Sequence, residues 1–211
     1  MNGLKEETPR DRLWDNWNSR GGPRYPNEKV VQFTFRHFPA SARASTRTLD
    51  LGCGSGINSW FLAREGFPVV GTDISSIGLA NAGDLLGNAD LAGSFVAADA
   101  WAQPFPDASF DYILCIRMLE LLPEPTQQEE LVAECARLLR AGGRAMFLFA
   151  SPLDYGCQHP EMSYCRFYPP SEQRVAELFG GRFSQVDIDI YQTTYENRKF
   201  AEHNFLITTQ K

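Results

Sequence analysis

Three glycines fall at alternate positions in "LDLGCGSGINSWFLAREG": Gly52, Gly54 and Gly56. They separate an apolar, strand-like run from a segment with helical character. Glycine in an ordered segment costs backbone entropy, so three together imply that something comes too close to the backbone for side chains to fit. A glycine-rich turn from strand to helix also lets a ligand reach backbone N–H groups at a helix N-terminus. Two ligand classes use such a turn. A dinucleotide places its pyrophosphate there, with G-x-G-x-x-G spacing. Here the spacing is G-x-G-x-G, and Ile57 occupies the third place of the dinucleotide pattern, which counts against NAD. Asp73 closes the next apolar run, seventeen positions beyond Gly56. A carboxylate at that point can take both hydroxyls of a ribose in either class.

The elements that must position these residues follow from periodicity. "STRTLDL" reads as a strand ending at the glycines, and "INSWFLAREG" as a short helix stopped by Gly66. "FPVVGTD" is a strand closing on Asp73, and "SSIGLANAGDLL" a helix capped by Ser75 or Ser76. "GSFVAAD" is a strand closing on Asp99, and "ASFDYILCI" a strand apolar enough to be buried on both faces. After Pro125, Thr126 and Glu129 form a T-x-x-E capping box. Leu131, Val132, Cys135, Leu138 and Leu139 then share one helix face, with Gly142 and Gly143 as its end. "RAMFLFAS" is a fifth strand. Ser171 caps a helix ending at Gly180, and "FSQVDIDIYQ" with "HNFLITTQ" alternate like an antiparallel pair. Upstream, "PNEKVVQFTFRHF" alternates as a strand at Val31, Phe33 and Phe35. It also places Val31, Phe35 and Phe38 on one helix face, and the start at Pro26 and Asn27 favours helix. Residues 1–24 read as polar and turn-rich, with Trp14 and Trp17 embedded.

Strands alternating with helices imply a Rossmann-like α/β fold: a mostly parallel sheet covered on both faces, with an antiparallel strand pair at one edge. Ligands of such sheets sit beyond the carboxyl ends of the strands, near the point where strand order reverses. Chemistry is therefore expected at Gly52–Gly56, Asp73, Asp99 and Cys115. The 211 residues suit a single domain. Within it, residues 1–40 form an N-terminal lid or helix segment and 45–150 the cofactor-binding core. Residues 151–170 form an acceptor-site insertion, and 171–211 the terminal helix and strand pair.

Composition bounds the function. Hydrophobic content is 43% and charged content 22%, which is that of a folded globular chain. No apolar run approaches the ~18 residues of a membrane span, and the N-terminus has no signal-peptide core, so a cytoplasmic protein is expected. Five cysteines, an odd number, point to reduced thiols. The net charge of −6 disfavours a nucleic-acid partner. It is uneven: residues 1–47 hold nine Lys/Arg and five Asp/Glu. That basic piece either helps hold an anionic group or is simply solvated. Nothing in the sequence sets an oligomeric state.

Taken in order, "LDLGCGSG", "VVGTDIS", "FVAADA" and "FPDASFDYILC" resemble a class I S-adenosylmethionine-dependent methyltransferase of the small-molecule type. The resemblance spans Thr48 to Ser151 and implies S-adenosylmethionine as cofactor. By position, it implies that the loop Gly52, Cys53, Gly54, Gly56 passes under the methionine and ribose portions. Asp50 would support that loop and the ammonium side. Asp73 would take the ribose hydroxyls and Ile74 would pack on adenine. Asp99 would accept from the adenine amino group, the N–H of Ala100 would meet a ring nitrogen, and the Cys115 carbonyl would meet the ammonium. Cys53 and Cys115 read as small buried fillers, since nothing places a base beside either thiol.

The sulfonium already makes the methyl electrophilic, so the protein must chiefly align a nucleophile and exclude water. A hydroxyl acceptor also benefits from a general base. His159 is the best candidate, because histidine titrates nearest neutrality. Tyr155 lies beside it in sequence, and Arg117, after the fourth strand, can face the cofactor carboxylate or the acceptor, or make a structural ion pair. Asp154, Glu161, Tyr164 and Arg166 belong to the same insertion. Cys157, His159 and Cys165 make a weak metal pattern, and no metal is expected. No D/N-P-P-Y tetrapeptide of adenine methyltransferases follows the fourth strand. The expected reaction is methyl transfer to a small-molecule acceptor, foremost a hydroxyl of a glycosyl or other natural-product intermediate. The glycine segment also resembles tellurite-resistance methyltransferases, which implies a thiol or chalcogen acceptor as the alternative. A non-catalytic cofactor-binding subunit and an NAD-dependent oxidoreductase complete the alternatives.

Overall fold

A computed structural model of the chain describes residues 9–163, 165–195 and 200–211. It divides into two compact units, Met1–Ala100 and Trp101–Lys211, taken here in turn.

In the first unit the expected alternation is present. Helices α1 (Pro9–Asn18), α2 (Glu28–His37) and α3 (Ala40–Arg43) precede β1 (Thr48–Leu51), α4 (Ile57–Arg64), β2 (Val69–Asp73), α5 (Ser76–Gly87) and β3 (Ser94–Ala97). The strands lie in the order β3-β2-β1. They are parallel, with Thr48 opposite Val69 and Val70 opposite Ser94. Strand β1 is buried along its length. Helix α5 packs on β2, β3, α4 and α1. Ser75 caps it, accepting from the Gly78 N–H at 2.9 Å. Asn27 caps α2, accepting from the Lys29 N–H.

Two expectations are corrected in this unit. Helix α1 occupies part of the segment read as turns; Pro9 supplies its first residue, where a missing N–H costs nothing. Helix α2 buries Val30, Phe33 and Thr34 rather than the Val31–Phe35 face. A threonine suits the buried row because its hydroxyl donates to the Val30 carbonyl at 2.7 Å. Phe35 is left at the rim, with the Arg43 guanidinium 4.9 Å from its ring centre.

The second unit holds β4 (Phe110–Ile116), α6 (Pro125–Leu138), β5 (Leu139–Ala150), α7 (Tyr155–Gln158), α8 (Glu172–Phe179), β6 (Gln185–Tyr195) and β7 (Phe200–Gln210). Its strand order is β4-β5-β7-β6. Strands β4 and β5 are parallel, and β7 runs antiparallel to both β5 and β6, which puts the expected hairpin at the edge. Phe147, Phe149 and Phe179 form the centre of the core, with Phe147 and Phe179 rings 4.8 Å apart edge to face. Ser171 caps α8 as expected.

Helix α6 departs from its sequence reading at both ends. Its cap is Glu124, with Pro125 in the first turn, so the Thr126–Glu129 box does not form. Proline's fixed φ suits the first helical position, so the helix starts two residues earlier, and Glu129 pairs with Arg174 instead. The helix ends at Leu138, and Leu139, Gly142 and Gly143 belong to β5. Gly142 has φ +78°, and a Cβ on Gly143 would lie 3.0 Å from the Arg140 carbonyl oxygen. The register of β4 against β5 shifts between Phe110 and Tyr112, so these glycines accommodate a bulge. Among the described residues, no helix is long and apolar enough to cross a membrane.

The glycines that end and begin helices differ in kind. A Cβ on Gly56 would sit 2.5 Å from the Ala82 Cβ and 2.8 Å from its Cα, at φ +81°. Gly66 has φ +91° and open space around it. Gly66→Ala should cost only backbone strain, about 1–2 kcal/mol. Gly56→Ala adds overpacking against α5 and should cost roughly 3 kcal/mol or more. Urea denaturation of both variants checks the ranking; equal midpoints would show that α4 and α5 are not in the contact described.

Candidate functional site

In the first unit the site begins at the end of β1. Gly52, Gly54 and Gly56 all have positive φ, at +74°, +51° and +81°. This conformation is open to glycine and strained for other residues, so the alternating pattern is one of left-handed turns. The loop's own amides are occupied. Gly52 and Cys53 N–H donate to the Thr72 carbonyl at 2.7 and 3.0 Å, and Gly56 N–H donates to the Cys53 carbonyl at 2.9 Å. Gly54 N–H donates to Asp73 Oδ2 at 2.9 Å. The expectation that the turn offers its N–H groups to a ligand is therefore corrected for these four amides. Three of them bind the loop to β2 and the fourth closes the loop on itself, and a pyrophosphate cannot use them without breaking those bonds.

Asp73 is the bolt of this arrangement. Its Oδ2 accepts from Gly54 and its Oδ1 from the Ser75 N–H at 2.9 Å. Each oxygen keeps a further lone pair for a hydroxyl donor. Burial pushes its pKa up, the backbone N–H groups pull it down, and the charge of Asp15 pushes it up again. Asp50 is 1% exposed, and its Oδ2 accepts from Ser59 Oγ at 2.7 Å. Burial first, and the neighbouring Asp73 charge as well, lift its pKa from 3.8 to about 6. Burial, followed by the charges of Asp50 and Asp73, holds the Cys53 thiol well above its ordinary range, which keeps it protonated. Ile74 is half-buried beside Asp73, and Ala100 is buried. Asp99 lies two residues past the end of β3 rather than on its last residue, and pairs with Arg10.

The sequence reading missed what α1 contributes. Asp15 Oδ1 accepts from Ser75 Oγ at 2.6 Å and from the Ile77 N–H at 3.2 Å. Asn18 Oδ1 accepts from Ser55 Oγ at 2.9 Å, and the Asn18 carbonyl accepts from Asn81 Nδ2 at 2.9 Å. A Cβ on Gly78 would lie 2.8 Å from Asn18 Nδ2. The available signal was Pro9 followed by Leu13, Trp14 and Trp17 at helical spacing. Trp14 and Trp17 are half-buried, while Tyr25 is 82% exposed.

In the second unit Cys115 is buried on β4 opposite Phe147, one residue before the strand ends. Arg117 follows with φ +60°, an uncommon conformation for a bulky residue. Its Nε lies 3.0 Å from Glu120 Oε1, and one terminal nitrogen donates to Asn204 Oδ1 at 2.6 Å. Glu120 is fully buried, and its Oε1 accepts from the Ala150 N–H at 3.2 Å. Its Oε2 has no hydrogen-bond partner among the described residues. Burial raises its pKa against the opposing pull of Arg117. Tyr155 and His159 sit together, with ring centres 4.4 Å apart. The His159 side chain is 47% exposed, with Nδ1 3.5 Å from Glu161 Oε1. Asp154 caps α7 and accepts from the His203 N–H at 3.0 Å, while Ser151 Oγ lies 2.6 Å from His203 Nδ1. Glu120, His203 and Asn204 carried no motif: the pairing of β7 with β5 places the last two, and Glu120 sits in the turn Leu119–Leu121 after β4. Tyr164 lies outside the described residues. No group of three or more described His, Cys, Asp or Glu residues is arranged to hold a metal.

Parallel strands ending in a left-handed glycine turn, an acid on the next strand and a further acid beyond the third define a nucleoside-cofactor site of Rossmann-like type. Residues 49–147 match the family described as "Methyltransferase domain". This stretch resembles a methyltransferase domain of the class I S-adenosylmethionine-dependent type. The chain is 39% identical over 104 residues to a ubiquinone biosynthesis O-methyltransferase of Paracidovorax citrulli, covering 48% of this chain and 42% of that one. It is 33% identical over 130 residues to the protein of that name in Methylococcus capsulatus, covering 57% and 49%. The chain thus spans about half the length of the curated relatives it matches. Among solved structures, the magnesium protoporphyrin IX methyltransferase of Synechocystis, with S-adenosylhomocysteine bound, superposes with a TM-score of 0.70. It is 18% identical and covers 94% of each chain, which is a likeness of fold.

The buried acid sets a pH dependence. The folded state holds the Asp50 proton more tightly than the unfolded chain, so stability falls as pH rises from 3.8 to about 6. Roughly two pKa units correspond to about 3 kcal/mol at most. Asp50→Asn keeps the shape and the Ser59 contact. It should raise the melting temperature at pH 7.5 and lose that advantage below about pH 4. A difference independent of pH would show that Asp50 is not a buried charge.

Proposed function

We propose that this protein transfers the methyl group of S-adenosylmethionine to a hydroxyl oxygen of a small-molecule acceptor. The observation that carries the cofactor half of this reading is the charge around the glycine loop. Burial raises the pKa values of Asp50 and Asp73, and the charge of Asp73 adds to the first and that of Asp15 to the second, which marks an excess of negative charge. Such a site favours a ligand carrying a sulfonium and an ammonium, and disfavours a pyrophosphate. The occupied loop amides point the same way, so an NAD-dependent oxidoreductase is the weaker reading. Asp73 retains acceptor capacity for ribose hydroxyls, the glycines leave room beside it, and Asp50 supports the loop from below. Ile74, Asp99, Ala100 and Cys115 keep the adenine and ammonium roles that the family pattern assigns.

The cofactor supplies an already electrophilic methyl, so the chain's part is alignment, water exclusion and proton removal. His159, half-exposed against Tyr155, is the proposed base. Arg117, held by Glu120 and Asn204, supplies a fixed positive charge. The likeness to relatives named O-methyltransferases favours an oxygen acceptor over a thiol or chalcogen. A glycosyl or other natural-product hydroxyl remains the proposed class. The single-domain reading of the chain stands on the same ground.

Calorimetric titration tests the reading. S-adenosylhomocysteine should bind with micromolar affinity and NAD should not. Asp73→Ala, if folded, should weaken that binding well over tenfold, from the loss of about 1.5–3 kcal/mol of hydrogen bonding to a charged group. Binding of NAD alone overturns the proposal. A labelled-methyl screen over phenols, sugars and thiols then decides the acceptor atom, and turnover of thiols alone would replace the oxygen reading.

A further inference from the structure

One helix touches the ends of all three parallel strands of the first unit. From α1, Arg10 reaches Asp99 beyond β3, Asp15 reaches Ser75 and Ile77 beyond β2, and Asn18 reaches Ser55 in the glycine loop beyond β1. The three residues lie within nine positions of one helix, so their contacts fix one another. Asp15 also sits where the partial positive charge of the α5 N-terminus favours an anion. Asn18 is 3% exposed and occupies the space that Gly54 and Gly78 leave by lacking a Cβ: such an atom would lie 3.3 and 2.8 Å from it. Helix α1 is therefore keyed into the strand ends by its centre and its C-terminal end. Its N-terminal end delivers one cation to one carboxylate.

We propose that Arg10 is a positioning residue that makes α1 part of nucleobase recognition. The inference rests on the reading above, in which Asp99 accepts from the adenine amino group. Asp99 lies two residues past Ala97, the last residue of β3. The ion pair with the helix-borne Arg10 guanidinium holds that carboxylate in one direction, with its oxygens presented as acceptors. An amino group at the base edge then meets an acceptor. A carbonyl at the same place meets an oxygen and is rejected. Adenine and hypoxanthine differ in this group and in N1, an acceptor in the first and an N–H donor in the second; the pair acts on the first difference, so its removal changes their ratio of affinities.

The test compares S-adenosylhomocysteine with its deaminated analogue, S-inosylhomocysteine, by calorimetry on wild-type protein, Arg10→Ala, Arg10→Lys and Arg12→Ala. Arg12 lies exposed on the same helix and controls for loss of one positive charge. Wild type should prefer the adenine compound. Arg10→Ala should weaken it threefold to tenfold and leave the hypoxanthine compound nearly unchanged, so that discrimination shrinks. Arg10→Lys should restore much of the preference, and Arg12→Ala should match wild type. Equal weakening of both compounds would mean that Arg10 only braces α1, and would overturn the inference. Tighter binding by Arg10→Ala would overturn it as well, by showing the pair to be an obstruction. If wild type binds neither compound, the methyltransferase reading fails first and this inference falls with it. A circular dichroism melt of each variant separates all these outcomes from loss of fold.

Discussion

The first unit depends on a left-handed run of backbone between β1 and α4. Three residues with positive φ in five positions would be costly for any side-chain-bearing sequence. Glycine permits the conformation but does not enforce it. Enforcement comes from Asp73, whose two oxygens accept from Gly54 on the loop and from Ser75 at the start of the next helix. A single carboxylate thus ties the turn after β1 to the turn after β2. The approach of Ala82 to Gly56 closes the arrangement from the helix side. Removal of any one of these leaves the other two without their geometric reason.

That construction has an electrostatic consequence. Asp73 and Asp50 are brought into low-dielectric surroundings near each other, and both resist ionisation more than they would in water. The fold bears this cost with nothing nearby in the loop to neutralise it; Ser59 supplies only a hydroxyl to Asp50. Uncompensated negative charge at a strand end is a stability cost that a cationic ligand relieves. This separates the two cofactor classes more sharply than glycine spacing does, since it concerns the sign of charge rather than the shape of a turn.

The parts legible in sequence were those whose cause is local. Strand alternation, the glycine turn, the acids closing β2 and following β3, and the serine caps at Ser75 and Ser171 all follow from residue type and short-range spacing. The misreadings share a different cause. Thr126 and Glu129 had the chemistry of a capping box, but Pro125 fixed the start two residues earlier. Gly142 and Gly143 looked like a helix stop, yet a register shift against β4 used them inside a strand. The buried face of α2 turned on a threonine able to satisfy its own hydroxyl. Helix α1 was missed because its polar residues are partnered by residues far along the chain, which no local window contains.

The same distinction explains why the cofactor is easier to infer than the acceptor. The family match covers residues 49–147 and stops before the 151–170 segment. Every methyltransferase of this class must hold one donor, so the donor-holding strand ends repeat from protein to protein and read as a pattern. The acceptor is particular to each. In this chain its candidates are assembled by tertiary pairing: Arg117 is fixed by Glu120 and Asn204, and Ser151 meets His203 across β5 and β7. Glu120 combines full burial with an unpartnered oxygen and an upward-shifted pKa. A buried acid in that condition is unfavourable for folding alone. Its cost is tolerable where it fixes the direction of a cation. That places Arg117 among the held groups of the second unit, in contrast with His159, whose half-exposed ring lies against Tyr155 and near Glu161. Of these groups in the second unit, Arg117 is the one whose direction is set most firmly.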